Sequence, residues 1–430
     1  MGAEIVAEGT NDSPARAVID SREAPGALFF GLRGENVDGG EFGSAAIAAG
    51  AWGVVVPVDR AARLDGAWVF ASADPLAALQ DLARAWRRAL GAKVLGITGS
   101  VGKTSVKDIA RALLPGRVHA NRQNLNTEIG LPLTILEAPP GAETLVLEMA
   151  MRGPGQIAQL AAIAEPDVAV ITNVGPVHVE LLGSVEAIAA AKAEVIGALP
   201  EDGVAVVPVE AGELEPHLGS APRLLRFGPG GDVYAATRQI NEGVTQARID
   251  TPLGSEVFHF PFTEAHNLLN ALAAVAAGVA LDVSPAEMSD GAADVGFSRF
   301  RGERLELGDG IVLVNDCYNA NPVSMRAALD HLATLDAKRH VAVLGEMAEL
   351  GSAAAEYHRA VGEHARAEGI DLLIGVDEPA REYGPDELVG TPEEAAELLA
   401  AQLEPGDAVL VKGSRSAGLE AVAEALEELR

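Results

Sequence analysis

The chain has 430 residues, room for roughly three domains at about 150 residues each, with 62 acidic against 32 basic residues and a formal net charge of −30. That balance excludes broad charge-driven nucleic-acid binding, which needs a basic surface, and leaves room only for a local phosphate site. Hydrophobic residues at 48% exclude a disordered chain, and a single cysteine, Cys317, excludes an intrachain disulfide framework.

The opening residues (MGAEIVAEGTNDS) hold no basic region followed by an apolar stretch, and no run of about 18 apolar residues occurs. The expectation is a cytoplasmic protein in a reducing compartment, a monomer with no membrane and no nucleic-acid partner. Short β-branched runs alternate with alanine-rich amphipathic stretches. The runs fall at 52–58, 93–98, 144–148, 167–173, 203–208, 311–315, 340–345, 372–376 and 408–412, which predicts parallel sheets covered by helices. Between 75 and 90, the residues Leu76, Leu79, Leu82, Ala83, Trp86 and Leu90 mark one helical face. That helix leads into the strand at 93–98, and a first domain boundary is set near residue 85. Residues 233–262 alternate as strands around a Pro-Leu-Gly turn, a helix covers 267–280, and a loop at 289–297 precedes a new strand–helix series. The second boundary is set near 298, giving spans 1–85, 86–298 and 299–430.

The strongest local signal is GITGSVGKTS at 96–105, where a strand runs through a glycine-rich turn into a helix at 105–114. Backbone N–H groups at such a helix start point at phosphate oxygens, and the helix dipole favours their charge. Gly99, Ser100 and Gly102 form the turn, Lys103 can reach a terminal phosphate, and the hydroxyls of Thr104 and Ser105 follow, Thr104 as a Mg²⁺ ligand. The spacing is the shorter T-G-x-x-G-K-T, since Ile97 stands where a strict Walker loop has its first glycine. A nucleoside triphosphate with Mg²⁺ is the expected ligand.

Three further polar groups sit at or after apolar strands: Glu148, His178 and Lys192. In an α/β sheet the carboxyl ends of parallel strands face the binding crevice. Oxygen ligands suit Mg²⁺, so Glu148 is apt and a neutral His178 tolerable. A histidine after a strand is commonly a satisfied turn residue, and a helical lysine commonly a solvated charge. Lys192, however, sits just before Val195 and Ile196, on or beside the buried face, where desolvation favours a neutral amine able to add CO₂ as a carbamate. The residues alone leave both readings open.

Blocks spanning almost the whole chain then resemble the Mur ligases: TGSVGKTSVKD (98–108), NLNTEIGLP (124–132), LEMAMRGPGQI (147–157), ITNVGPVHVELLGS (171–184), AKAEVI (191–196), HNLLNALAA (266–274), NDCYNANPVSM (315–325), LGEMAELG (344–351) and KGSRSAGLE (412–420). The block DSREAPGALFFGLRGENVDG (20–39) is similar to the family's nucleotide-sugar domain. The resemblance implies an α/β fold of three domains: a small α/β UDP-sugar-binding domain at 1–85, a central ATP-binding domain at 86–298 with a P-loop-type, mostly parallel sheet and helices on both faces, and a C-terminal Rossmann-like α/β domain at 299–430 that binds the amine and closes over ATP.

The resemblance also implies an activity: ATP-dependent joining of D-alanyl-D-alanine to UDP-N-acetylmuramoyl-tripeptide through an acyl phosphate, with two Mg²⁺ ions. DCYNANPVSM and LGEMAELG are similar to the D-alanyl-D-alanine-adding member, and the D-N-P-R block of the diaminopimelate- or lysine-adding member is absent. A related ligase with another amine, including the folylpolyglutamate type, and a non-catalytic nucleotide-binding switch are the alternatives. By resemblance, Thr104 and Glu148 hold one metal, and His178 with a carbamylated Lys192 the second; Lys103, Glu148, His178, Lys192 and Arg301 are the catalytic set. Asn267 and Asn270 resemble adenine contacts, Asp316 the ribose-binding acid, and Arg301 the arginine that reaches the phosphates. Ser21 and Arg22 resemble contacts to uridine diphosphate, and Asn124, Asn126, Thr127, Tyr318, Asn319, Lys412, Ser414 and Arg415 complete the substrate-binding set. Gly40 replaces a usual histidine, Cys317 a usual serine or alanine, and Gln156 a usual glutamate.

Overall fold

A computed structural model of the chain describes residues 2–428 except Asn11, Glu35, Gln123 and His178. The N-terminal part is a five-stranded sheet in the order Ala3–Ala7, Trp68–Ser72, Gly53–Pro57, Leu28–Phe30, Ala17–Val18. Only the edge strand Ala3–Ala7 runs antiparallel to its neighbour.

The helix Pro75–Leu90 follows. Asp74 caps it by accepting from the N–H groups of Leu76 and Ala77, proline occupies its first turn, and Gly91 ends it in the left-handed region at φ 64°. Its arginines reach across to another helix, Gln156–Ala164: Arg84 Nε donates to Ala162 O and Arg87 Nε to Ala164 O, both at 2.9 Å. Cationic donors thus satisfy the last carbonyls of that helix, where the dipole is negative. The boundary set near residue 85 lies inside this unbroken helix, which packs at once on the first sheet and on the central part.

The central sheet has six parallel strands in the order Arg223–Phe227, Val204–Pro208, Val168–Ile171, Lys93–Thr98, Thr144–Glu148, Val118–Ala120. A parallel sheet must be covered on both faces, so its strands read as continuous apolar runs. Alternate residues divide between two cores. Leu95, Ile97, Val146, Val168 and Val170 face the helices Lys103–Leu113 and Ala265–Ala280. Val94, Leu145, Leu147, Ala169 and Ile171 face the helices Gly130–Glu137, Gln156–Ala164 and Val185–Ala193. A three-stranded antiparallel meander, Tyr234–Asn241, Val244–Thr251 and Gly254–Phe260, turns at Pro252 and Leu253 and sends Phe258, Phe260 and Phe262 into the first of these cores. The period-two spacing of those phenylalanines puts all three rings on one face, stacked 5.1–5.6 Å apart.

The C-terminal sheet runs Glu303–Gly308, Ile311–Asn315, Asp407–Lys412, Arg339–Leu344, Leu372–Val376, Glu387–Val389, with only the first strand antiparallel. Pro322–Thr334 and Ala354–Ala367 cover one face; Pro392–Gln402 and Glu420–Glu428 cover the other. The strands expected at 93–98, 144–148, 311–315 and 372–376 form with those limits. The three-residue strands Val118–Ala120 and Glu387–Val389 were not anticipated, because three residues carry too little alternation to read. Among the described residues no helix is long and apolar enough to cross a membrane.

Candidate active site

The phosphate loop leaves the C-terminal end of Lys93–Thr98, between the neighbouring strands that end in Glu148 and Ile171. Two glycines are required there. Gly99 has φ +149°, and a Cβ on it would meet Thr172 Oγ1 at 1.9 Å; Gly102 has φ +83°, and its Cβ would meet Asn270 Oδ1 at 2.4 Å. The loop is tied to the chain that follows strand Val168–Ile171. Val101 N donates to Asn173 Oδ1 at 2.9 Å, Ser100 N to Asn173 O at 3.1 Å, and Gly175 N to Ser100 Oγ at 2.9 Å. Thr172 and Asn173 were not singled out from sequence. Their signal was position alone, one and two residues past an apolar strand.

Lys103 and Thr104 open the helix Lys103–Leu113. Lys103 is half-buried, and its Nζ donates to Gly99 O at 2.8 Å. Burial pushes its ammonium below the ordinary lysine range; Glu148 opposes that shift and Arg301 adds to it. Thr104 Oγ1 donates to Glu148 Oε2 at 2.8 Å, and Asn126 Nδ2 to Glu148 Oε1 at 2.8 Å. The Glu148 backbone N–H donates to Asn121 Oδ1 at 2.6 Å. Both carboxylate oxygens and the main chain of Glu148 are therefore fixed, and Asn121 is a buried residue that the sequence reading passed over. A threonine hydroxyl beside a carboxylate is an all-oxygen donor pair of the kind Mg²⁺ takes.

Lys192, on helix Val185–Ala193, is 2% exposed. Burial, and secondarily the charge of Lys103, pushes its amine well below the usual value. His178 lies outside the described residues. Asn267 and Asn270 share a face of helix Ala265–Ala280, with Asn270 Nδ2 donating to Asn267 Oδ1 at 3.2 Å. Asn267 Nδ2 donates to Glu264 Oε2 at 3.3 Å, and Glu264 faces His331 of the C-terminal part across 3.4 Å.

From the C-terminal part, Lys412 Nζ donates to Asp316 Oδ2 at 2.6 Å and to Asn319 O at 3.0 Å. Lys412 is thereby a buried strut of that sheet, closing its ion pair with Asp316. The Arg301 guanidinium lies 4.1 Å from the centre of the Tyr318 ring and is close enough to Lys103 to bear on its protonation. Ser414 joins two of the quoted blocks: its N–H donates to Glu346 O and its Oγ accepts from Ala348 N, both at 2.9 Å. Arg415 pairs with Glu420 at 3.4 Å. Asn124, Thr127 and Asn319 are exposed. Ser21 and Arg22 belong to the first sheet's short turn Ser21–Glu23, where Arg22 holds the Asp20 carboxyl down to about 2. Cys317 is a fully buried, packed side chain, and burial pushes its thiol up to about 12.

A glycine loop at the switch point of a parallel sheet, with a lysine, a threonine and a carboxylate converging on it, defines an α/β phosphate-loop protein. The sequence matches the Mur ligase middle domain over residues 97–278 and the Mur ligase glutamate ligase domain over 300–415. It is 38% identical to a UDP-N-acetylmuramoyl-tripeptide–D-alanyl-D-alanine ligase of Synechocystis, over 92% of this chain and 88% of that one. The like-named ligase of Escherichia coli is 33% identical, over 98% and 95%. The structure superimposes on MurF from Acinetobacter baumannii with a TM-score of 0.89 at 29% identity, covering 97% and 94% of the two chains. The MurF ligase of Thermotoga maritima, solved in complex with ADP, gives 0.87 at 31% identity, covering 96% and 97%. The chain belongs to the Mur ligase family.

Proposed function

We propose that this chain is an ATP-dependent ligase of peptidoglycan precursor synthesis, acting in the cytoplasm, that joins D-alanyl-D-alanine to UDP-N-acetylmuramoyl-tripeptide. The observation that carries the proposal is the Thr104–Glu148 contact beside Lys103 at the phosphate loop, in a chain whose full-length relatives bear that name. The first sheet with Ser21 and Arg22 takes the nucleotide sugar, the central sheet takes ATP, and the C-terminal sheet brings the amine. The spans 1–85, 86–298 and 299–430 are proposed as the corresponding domains.

Amide formation from a carboxylate needs activation, because oxide is a poor leaving group. The tripeptide's terminal carboxylate attacks the γ-phosphorus of ATP, ADP departs, and an acyl phosphate forms. The free amine of D-alanyl-D-alanine then attacks the acyl carbon, inorganic phosphate leaves, and the amine's proton is released. Lys103 offsets charge on the transferring phosphoryl, and Arg301 reaches the same group from the C-terminal part. Gly99 and Gly102 let the main chain approach the phosphates, with Ser100 and Ser105 beside them. Asn267 and Asn270 face the adenine and Asp316 the ribose. Asn124, Asn126, Thr127, Tyr318, Asn319 and Arg415 line the acceptor and amine paths, and the buried Lys412 and Ser414 support them from behind.

Thr104 and Glu148 would hold one Mg²⁺; His178 and a carbamate on Lys192 would hold a second. When bound, the metals neutralise phosphate charge. Burial of Lys192 supports the carbamate, since a neutral amine adds CO₂ and a protonated one does not. Closure of the C-terminal part excludes water from the acyl phosphate. The test is phosphate release from ATP with UDP-N-acetylmuramoyl-tripeptide, with and without D-alanyl-D-alanine. Release that ignores the dipeptide, or that D-alanyl-D-alanine supports no better than diaminopimelate or glutamate, refutes the proposal.

A further inference from the structure

The helix that opens with Lys103 and Thr104 carries, one turn later, two adjacent charged residues that face inward. Lys107 is 2% exposed and Asp108 is 9% exposed. They form an ion pair at 3.1 Å. A buried pair of this kind adds little stability, because desolvating both charges offsets their attraction; apolar residues of like volume commonly do as well or better. What distinguishes this pair is what each member holds.

Asp108 Oδ2 accepts two hydrogen bonds from Ser298, one from its N–H and one from its hydroxyl, each at 2.9 Å. Ser298 is the last residue before the turn that carries Arg301 into the C-terminal sheet. On the other side, Lys107 Nζ donates to Asn121 O at 3.1 Å. Asn121 in turn grips Glu148 by its main chain: Oδ1 accepts from Glu148 N at 2.6 Å and Nδ2 donates to Glu148 O at 3.4 Å. One buried pair, fixed to the phosphate-loop helix, therefore touches both the root of the inter-sheet connection and the seat of the Glu148 carboxylate.

We propose that Asp108 and Lys107 are positioning residues: Asp108 pins the start of the hinge at Ser298 so that Arg301 swings from a fixed point relative to the phosphate loop, and Lys107 holds Glu148 through Asn121. The proposal rests on the ligase reading for the meaning of Arg301 and Glu148. Neither residue touches substrate in this scheme. Their effect falls on the geometry reached at closure, and so on turnover rather than on nucleotide capture, which the loop glycines and Lys103 accomplish.

The test compares Ser298→Ala, Ser298→Thr and Asp108→Asn with the parent. The measurements are D-alanyl-D-alanine-dependent phosphate release, ADP affinity by calorimetry, and thermal midpoint. Ser298→Ala should lower kcat at least fivefold, while Ser298→Thr, which keeps the hydroxyl, should stay within twofold of the parent. Asp108→Asn should lower kcat tenfold or more. ADP affinity should change less than threefold in every variant. Equal kcat for the alanine and threonine variants overturns the proposal, and so does a fall in ADP affinity that tracks the fall in kcat. Should Asp108→Asn fail to fold, the Ser298 pair still decides, because Ser298 is a half-buried loop residue. A parent with no dipeptide-dependent phosphate release refutes the ligase reading instead, so the two failures are told apart.

Discussion

Gly99→Ala is the sharpest perturbation the loop offers. The added methyl would lie 1.9 Å from Thr172 Oγ1 and 3.1 Å from both Thr172 Cβ and Thr172 N, at a backbone φ of +149°. Three terms follow. A non-glycine residue in that region of φ carries about 1–3 kcal/mol of strain. Overpacking against a main-chain nitrogen that cannot move adds about 1–3 kcal/mol. Relief by rotating Thr172 breaks its hydrogen bond to Val101 O and leaves a buried hydroxyl unpaired, about 1–3 kcal/mol again. These are alternative routes in part, so the expected total is about 3–5 kcal/mol rather than their sum. Because the strained atoms are those that would cradle phosphate, ADP affinity should fall by about two orders of magnitude or more, each tenfold being about 1.4 kcal/mol. Titration calorimetry with ADP and guanidinium unfolding followed by circular dichroism measure the two effects separately. Thr172→Ala in the same chain removes the 1.9 Å contact but neither the φ strain nor the contact to Thr172 N, so the double variant should recover only about 1–2 kcal/mol. An alanine variant with parental ADP affinity and parental unfolding midpoint would refute the argument that this loop is shaped by steric exclusion.

Three further outcomes are expected. Lys192→Ala should lose about 100-fold or more in turnover, and millimolar formate or acetate should restore part of it by supplying the missing anionic oxygen; turnover that stays low across the whole range of acids tested counts against the carbamate. Cys317, whose thiol is held up near 12, should resist alkylation by iodoacetamide at pH 8 in the native protein and react fully once unfolded; rapid native labelling would contradict its burial. Glu165, held below its ordinary 4.5 chiefly by its hydrogen-bonded partner Arg88, is a depressed carboxyl, so its contribution is complete above that ordinary value and is lost as pH falls through the folded one. The pair is largely at the surface, so the contribution is at most about 1 kcal/mol. Glu165→Gln should flatten the acid limb of the stability–pH curve by that amount, and an unchanged limb would show the pair to be inert.

The sheet architecture was legible because buried parallel strands must be apolar on both faces, and runs such as 93–98 and 144–148 have that character between their polar end residues. The phosphate loop was legible because its chemistry is local: glycines, lysine and threonine within a few residues of one strand end. What escaped depended on strand order, which no run of residues encodes. Asn173 and Thr172 brace the loop only because strand Val168–Ile171 lies beside Lys93–Thr98. Asn121 reaches Glu148 only because Val118–Ala120 lies beside Thr144–Glu148. The boundary near 85 rested on a shift of pattern, yet the helix that spans it serves two cores at once, with Leu79 packed toward the first sheet and Ala83 toward the central one.

Lys192 is buried, as its spacing to Val195 and Ile196 leads one to expect. The helix ends at Ala193 and continues as a short tight turn, and Val195 and Ile196 there join Ile188 and Ala191 in one buried core. Among the described residues no carboxylate stands within ion-pair distance of it, while Lys103 contributes like charge. A cation so placed is unfavourable by several kcal/mol unless it sheds its proton. A methionine of similar length would fill the same space without that penalty. The burial that lowers the Lys192 amine is what the proposed carbamate needs, and the rescue of Lys192→Ala by small carboxylates decides whether the nitrogen is used in that way.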